Sequence, residues 1–255
     1  MKFYFICPVC SKIDGHPLKS FFEDNLNEKD ISEYQCPKGH KFIIVSRNDR
    51  YRILFDEAIL QLQDGFYNNS ILNAYTALEE FMKFFIKFML FQRNKNVEEI
   101  LEITKVIKSS ENKKGAFILS LYENLNKIID KSKMDDLAKL RNEIIHDGKF
   151  IDSNLAYSYC EKIYDFINSI LKELSDRYNE EDYIKIDFAY QEHFVKHNPG
   201  IEHSMVTSFP SILNRVGVKD DETFDKKYES FKVSKQYLYN NPLKKINDVL
   251  EWAEQ

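Results

Sequence analysis

The chain has 255 residues, 43% hydrophobic and 30% charged, which suits a globular protein with one large domain or a core with attachments. Its 7 glycines and 6 prolines are few for a β-rich fold, which needs more turn residues, so the composition leans helical. A net charge of −5 argues against a protein that coats nucleic acid nonspecifically, while leaving room for a local cationic pocket.

No apolar run is long enough to span a bilayer: the greasiest, over 81–91, is interrupted by Lys83 and Lys87. The opening MKFYFICPVC lacks the charged, apolar and small-residue regions of a signal peptide. A cytoplasmic protein with no membrane partner is expected. Its four cysteines should be reduced there, which favours metal binding over a disulfide. There is no internal repeat and no low-complexity tract. Three regions can be distinguished: a cysteine-bearing segment over 1–47, a strongly helical one over 48–180, and a mixed extension over 181–255.

In chain order, Cys7-Pro8-Val9-Cys10 is a first metal hook and Cys36-Pro37-Lys38-Gly39-His40 supplies a second pair. Together Cys7, Cys10, Cys36 and His40 offer Zn²⁺ a Cys3His tetrahedron. Four protein ligands leave no position for water, so a structural zinc is expected, stapling a segment too small for its own core. His16 is a spare candidate with less suitable spacing, and Cys160 reads as a core residue.

The helical region divides at its breakers. A first helix is expected over 49–63, stopping before Gly65. A second begins near Asn69 and carries Ile71, Tyr75, Leu78, Met82, Phe85 and Met89 at helical spacing. A third covers 97–129, with a break at 112–115. A fourth starts at Ser132 as N-cap, with Asp135 completing a capping box, and ends near His146 with Gly148 as C-terminal cap. A fifth follows from Ser153, with Ala156, Cys160, Ile163, Ile167, Ile170 and Leu174 along one face. In the tail, 183–188 alternates like a short strand, 198–200 reads as a turn, and 243–254 reads as a closing helix begun by Pro242.

Residues 139–148 read KLRNEIIHDG. At 100° per residue, Leu137, Leu140 and Ile144 form a buried stripe into which Arg141 projects, while Asn142 lies on the flank, four residues before His146. An arginine in an apolar stripe requires a partner. Either it bridges to Glu79 or Glu80 on a neighbouring helix, or it faces a second subunit or an anion pocket. A histidine near a helix end suits general acid–base work near neutral pH, and arginine grips a phosphate diester. The three residues point to phosphodiester chemistry, and with no carboxylate cluster beside them no catalytic metal is expected.

Arg141-Asn142-x3-His146 resembles the R-x4-6-H signature of HEPN domains in its common RNxxxH form. AYTALEEF, over 74–81, is similar in placing an acidic pair after small and aromatic residues on a long second helix. The resemblance covers 48–178, about half the chain, and includes neither the cysteine segment nor the tail. It implies a mainly α protein: a HEPN-like bundle of about five helices, with a small N-terminal zinc ribbon and a mixed C-terminal extension added. It further implies a homodimer in which two such motifs face each other across one composite cleft. Many members are metal-independent endoribonucleases of toxin–antitoxin, abortive-infection and CRISPR-linked systems, in which the ribose 2′-OH attacks the adjacent phosphate and leaves a 2′,3′-cyclic phosphate.

On this chain the resemblance makes His146 the general base or acid, Arg141 the stabiliser of the transition state, and Asn142 the residue that orients His146 or a phosphate oxygen. Glu79 or Glu80 would position Arg141. Some HEPN toxins carry a tyrosine two residues after the histidine that a nucleotidyltransferase modifies; here Gly148 stands there, which speaks against that control. The expectation is an endoribonuclease acting as a toxin or antiviral effector on an RNA substrate, restrained by an antitoxin, an activator or a defence-complex partner. The alternatives are a noncatalytic HEPN module, which binds a nucleotide or scaffolds a defence complex, and a plain interaction protein. His193, His197 and His203 read as surface residues.

Overall fold

The computed structural model describes residues 2–14, 21–25, 31–46, 50–198, 204–207, 211–215, 218 and 223–238. The chain is mainly α and divides into two compact units. The first comprises 1–47, 191–208 and 225–255; the second comprises 48–190 and 209–224. The chain after residue 180 is therefore shared between them.

In the first unit, β1 (Lys2–Ile6) pairs antiparallel with β2 (Phe21–Asn25), and α1 (Pro8–Asp14) lies between them in sequence. A second hairpin joins β3 (Ile31–Gln35) to β4 (Lys41–Ser46), with Tyr34 directly opposite Phe42. Their rings stack with centroids 6.5 Å apart, and both side chains are buried, as expected of a cross-strand aromatic pair. The other edge of β4 takes β5 (Ser204–Thr207) in parallel, Ile43 opposite Ser204.

The second unit is a helical bundle. Gly65, at φ +83°, turns the chain between α2 (Arg50–Gln63) and α3 (Tyr67–Gln92), a conformation open to glycine because it lacks Cβ. Helix α3 is the central element: Ile71, Tyr75, Leu78, Met82, Phe85 and Met89 are all buried, as their spacing predicts. Around it stand α4 (Val97–Val106), α5 (Ser110–Leu125), α6 (Lys131–Asp147), α7 (Ser153–Ser175) and the start of α8 (Glu180–His197). Phe117 of α5 meets Phe81 and Phe85 edge-on, at 6.1 and 5.3 Å between centroids. Ala156, Cys160, Ile163, Ile167, Ile170 and Leu174 of α7 are all buried. The 211–215 stretch packs on α2, where Arg52 Nε donates to the Leu213 carbonyl at 2.7 Å and Asp56 accepts from Ser211 Oγ and the Ile212 N–H.

Several features differ from the sequence expectation. Helix α5 ends at Leu125 rather than 129, with Asn126 as its C-cap in the left-handed region at φ +53°. The break between α4 and α5 falls at 107–109, because Ser109 caps α5 by accepting from the Asn112 N–H at 3.2 Å; Asn112 and Gly115 lie inside the helix. Helix α6 is capped by Asp130, which accepts from the Ser132 N–H at 2.9 Å, while Asp135 turns to Lys114. Residues 183–188 are helical. Asn179 and Asp182 cap each other's N–H reciprocally at the start of α8, and Tyr183, Ile186, Asp187 and Tyr190 are its buried face. The expected turn at 198–200 and closing helix at 243–254, with His16 and His203, lie outside the described residues apart from Asn198 itself. No helix among the described residues is long and apolar enough to cross a membrane.

Candidate functional site

The first cluster is built by two tight turns. Cys7 precedes α1, and Pro8 opens that helix, where its missing N–H costs nothing; the Cys10 N–H then points at Cys7 Sγ, 3.4 Å away. Cys36 and His40 close the β3–β4 hairpin. The Gly39 N–H donates to the Cys36 carbonyl at 2.8 Å, the Cys36 N–H donates to the His40 carbonyl at 3.1 Å, and Gly39 takes φ +87°.

These turns bring Cys7, Cys10, Cys36 and His40 together, their ligand atoms all within 4.8 Å of one another, and the four could bind a metal ion. Cys10 Sγ lies 3.8 Å from Cys36 Sγ, and His40 Nδ1 lies 3.3, 3.5 and 3.8 Å from the sulfurs of Cys10, Cys36 and Cys7. The three cysteines are buried. Burial, helped by the neighbouring Cys7 and Cys36 thiols, pushes the Cys10 thiol up to about 12. Burial also acts to raise Cys36, but backbone N–H groups of His40 and Lys38, with the neighbouring thiols, bring it down to about 7. Cys160 stands apart in the other unit, fully buried, with Ser70 Oγ 3.3 Å away.

The second candidate lies on α6. Gly148, at φ +65°, ends the helix as expected, its N–H donating to the Glu143 carbonyl. Asn142 and His146 are exposed and Arg141 is half-buried. Of the expected stripe of Leu137, Leu140 and Ile144, Ile144 alone is buried; Met134, one turn before Leu137, is buried as well. Leu137 and Leu140 are only half-buried and line a cavity of about 610 Å³ with Met134, Leu155, Tyr159 and Phe166.

Arg141 has neither of the carboxylate partners the sequence offers. Glu79 is taken by Lys113 at 2.6 Å, the side chains 19% and 8% exposed, and Glu80 is paired with Lys83 on its own helix. Arg141 instead donates from Nη1 to Asn142 Oδ1 at 3.0 Å, and its Cζ lies over the Tyr75 ring, 5.9 Å from the centroid. Tyr75 Oη meets Ser110 Oγ at 3.3 Å. Burial acts to raise the Glu79 carboxyl, but hydrogen bonds from Lys113 and Ser110, with the charges of Lys113 and Arg141, hold it below its ordinary value. Burial pushes the Tyr75 and Tyr159 phenols up. Tyr159 donates to the Leu137 carbonyl at 2.9 Å, and Lys114 reaches across from α5 to Asp135 at 2.6 Å; both hold α6 in place.

Sequence reasoning brought Arg141, Asn142 and His146 to one helix end. It did not find Tyr75, Ser110 and Lys113, whose only sequence signal is membership of the neighbouring helices. Asn142 faces Arg141, and His146 makes no side-chain hydrogen bond among the described residues. The His193 and His197 rings lie 4.3 Å apart, tilted by 38°, without joining a metal-binding group among the described residues. No family model, curated protein or solved structure matches the chain, so its chemistry rests on these two clusters.

Proposed function

We propose that the chain is a HEPN-type, metal-independent endoribonuclease, with a structural zinc at Cys7, Cys10, Cys36 and His40. The observation that carries the first part is the state of Arg141: a guanidinium with no ion pair among the described residues, sharing one helix end with Asn142 and an exposed His146. A cation left without a carboxylate is available to an incoming phosphate.

In the proposed reaction His146 takes the proton of a ribose 2′-OH. The 2′ oxygen bonds to the adjacent phosphorus, the bond from phosphorus to the 5′ oxygen breaks, and that oxygen leaves with a proton. Charge on the equatorial phosphate oxygens falls to Arg141, and electrostatic stabilisation of this kind usually lowers the barrier more than any other single effect. A homodimer with two α6 ends facing each other supplies one imidazole as base and another as acid. The product is a 2′,3′-cyclic phosphate. Such an enzyme would serve as a toxin or antiviral effector in the cytoplasm, restrained by an antitoxin, an activator or a defence-complex partner.

Zinc is supported by the ligand spacing. Zn–S near 2.3 Å and Zn–N near 2.0–2.1 Å in a tetrahedron require sulfurs about 3.8 Å apart and sulfur–nitrogen separations of about 3.5 Å. The Cys10–Cys36 sulfur distance of 3.8 Å and the 3.3 to 3.8 Å from the three sulfurs to His40 are close to these values, and all four ligand atoms lie within 4.8 Å of one another. Four protein ligands close the site, so the metal would staple the two turns.

One observation favours a noncatalytic HEPN module that binds a nucleotide or scaffolds a complex: Asn142 is engaged by Arg141 and does not orient His146. The test is incubation of wild type and His146→Ala with total tRNA and an unstructured RNA in EDTA, followed by mapping of product ends. Wild-type-only cleavage with cyclic-phosphate ends is expected; RNA left intact by both would favour the noncatalytic module.

A further inference from the structure

We infer that Tyr75 is the positioning residue of Arg141, holding the guanidinium on an aromatic face so that its charge stays available to a phosphate; the catalytic part of this rests on the ribonuclease reading above. Tyr75 comes from α3 and is 7% exposed, and its ring lies under Arg141 Cζ at 5.9 Å, within the reach of a cation–π contact. Its hydroxyl lies 3.3 Å from Ser110 Oγ, at the first residue of α5, while the ring itself is held by burial against its neighbours.

The alternative anchor stands one turn further along α3. Glu79 is close enough for the charge of Arg141 to act on it, yet Lys113 occupies its carboxylate at 2.6 Å. The two anchors differ in one physical respect. A carboxylate cancels the guanidinium's charge and competes with an incoming phosphate for the same N–H groups. A ring face attracts the cation through its quadrupole, leaves the net charge intact, and keeps the N–H edge clear. Lys113 thus serves the site indirectly, by pairing with the carboxylate that would otherwise be offered to Arg141. The Asn142 amide oxygen takes one Nη1 hydrogen and sets the rotation of the guanidinium about its own axis.

The proposal is tested by selective labelling of arginine and proton NMR of the full-length protein, with Arg141 assigned by its loss in Arg141→Lys, alongside steady-state RNA cleavage. In wild type and Tyr75→Phe, the Arg141 side-chain protons should lie upfield of the other arginines through the ring current. In Tyr75→Leu they should return to the ordinary range. Cleavage should stay within about 3-fold in Tyr75→Phe and fall about 10-fold in Tyr75→Leu, in kcat more than in KM, because a loosened guanidinium loses alignment in the transition state. Ordinary Arg141 shifts in wild type would overturn the proposal without recourse to any variant. So would a Tyr75→Phe as impaired as Tyr75→Leu, which would give the role to the hydroxyl and Ser110. Upfield Arg141 protons in a wild type that cuts no RNA would sink the ribonuclease reading and leave the posture of Arg141 established.

Discussion

Lys113 donates to the carboxylate of Glu79 at 2.6 Å, and this pair joins α5 to α3 where the sequence offered Glu79 as a partner for Arg141. Glu79→Gln leaves a buried ammonium without its counter-charge and should cost about 3 kcal/mol at pH 7. The folded-state pKa of Glu79 lies below its ordinary value of 4.5. The contribution is therefore fully present above about 4.5 and is lost as the pH falls through the depressed folded value. Denaturant unfolding of both proteins at pH 7 and pH 3 checks this: the gap should narrow at the lower pH. A constant gap would mean that the glutamate matters through packing alone.

Helix α6 should be anchored in part by Lys114. That side chain reaches Asp135 at 2.6 Å and Glu111 at 3.0 Å. Burial acts to lower the Lys114 pKa, but the two carboxylates outweigh it and raise it. Asp135→Asn should cost about 1–2 kcal/mol, moderated by the remaining Glu111. A double-mutant cycle with Lys114→Met should show a coupling of about 1 kcal/mol, and amide exchange should quicken in α6 before α7. Additive effects, with unchanged exchange in α6, would assign the anchoring elsewhere.

Two glycines should respond in opposite directions to alanine. Gly148 ends α6 at φ +65°, whereas Gly115 lies in the body of α5, and an added Cβ meets nothing within 4 Å at either. Gly148→Ala should cost about 1 kcal/mol from backbone strain alone. Gly115→Ala should gain about 0.5–1 kcal/mol through helix propensity and lost unfolded-state freedom. Thermal melts of the two variants decide it, and a shared sign would contradict the backbone argument.

The metal should be stoichiometric and local. Purified protein should carry one zinc per chain by elemental analysis. Cys36→Ser should lose it, and Cys160→Ala should keep it, since Cys160 is buried in the other unit and absent from the Cys7, Cys10, Cys36 and His40 group. Retention of zinc by Cys36→Ser would remove that thiol from the site.

What the sequence made legible was short-range. The metal hooks are readable because each pair is set by a turn of a few residues, and the fifth helix because its apolar face repeats every turn. The parallel strand β5 was not readable: it meets β4 across more than 150 residues of chain, and nothing local marks it. The run over 183–188 alternates like a strand, but Tyr183, Ile186, Asp187 and Tyr190 also share one helical face, and the reciprocal Asn179–Asp182 cap decides for the helix. Gly115 looks like a helix breaker by residue type alone, but its space is open and the working cap is Ser109. The partner of Arg141 was missed for a related reason. Which cation takes Glu79 depends on where α5 packs, and Lys113 lies 34 residues away in sequence.

Whether Arg141 is kept for a phosphate or for the fold is decided by Arg141→Ala, with RNA cleavage in EDTA and thermal unfolding measured on the same preparation. The arginine has no ion pair among the described residues, so the melting temperature should move by only a few degrees, on the order of 1 kcal/mol. Cleavage should fall about 10²–10³-fold. A protein that unfolds, or one that still cuts RNA at the wild-type rate, would refute the phosphate role.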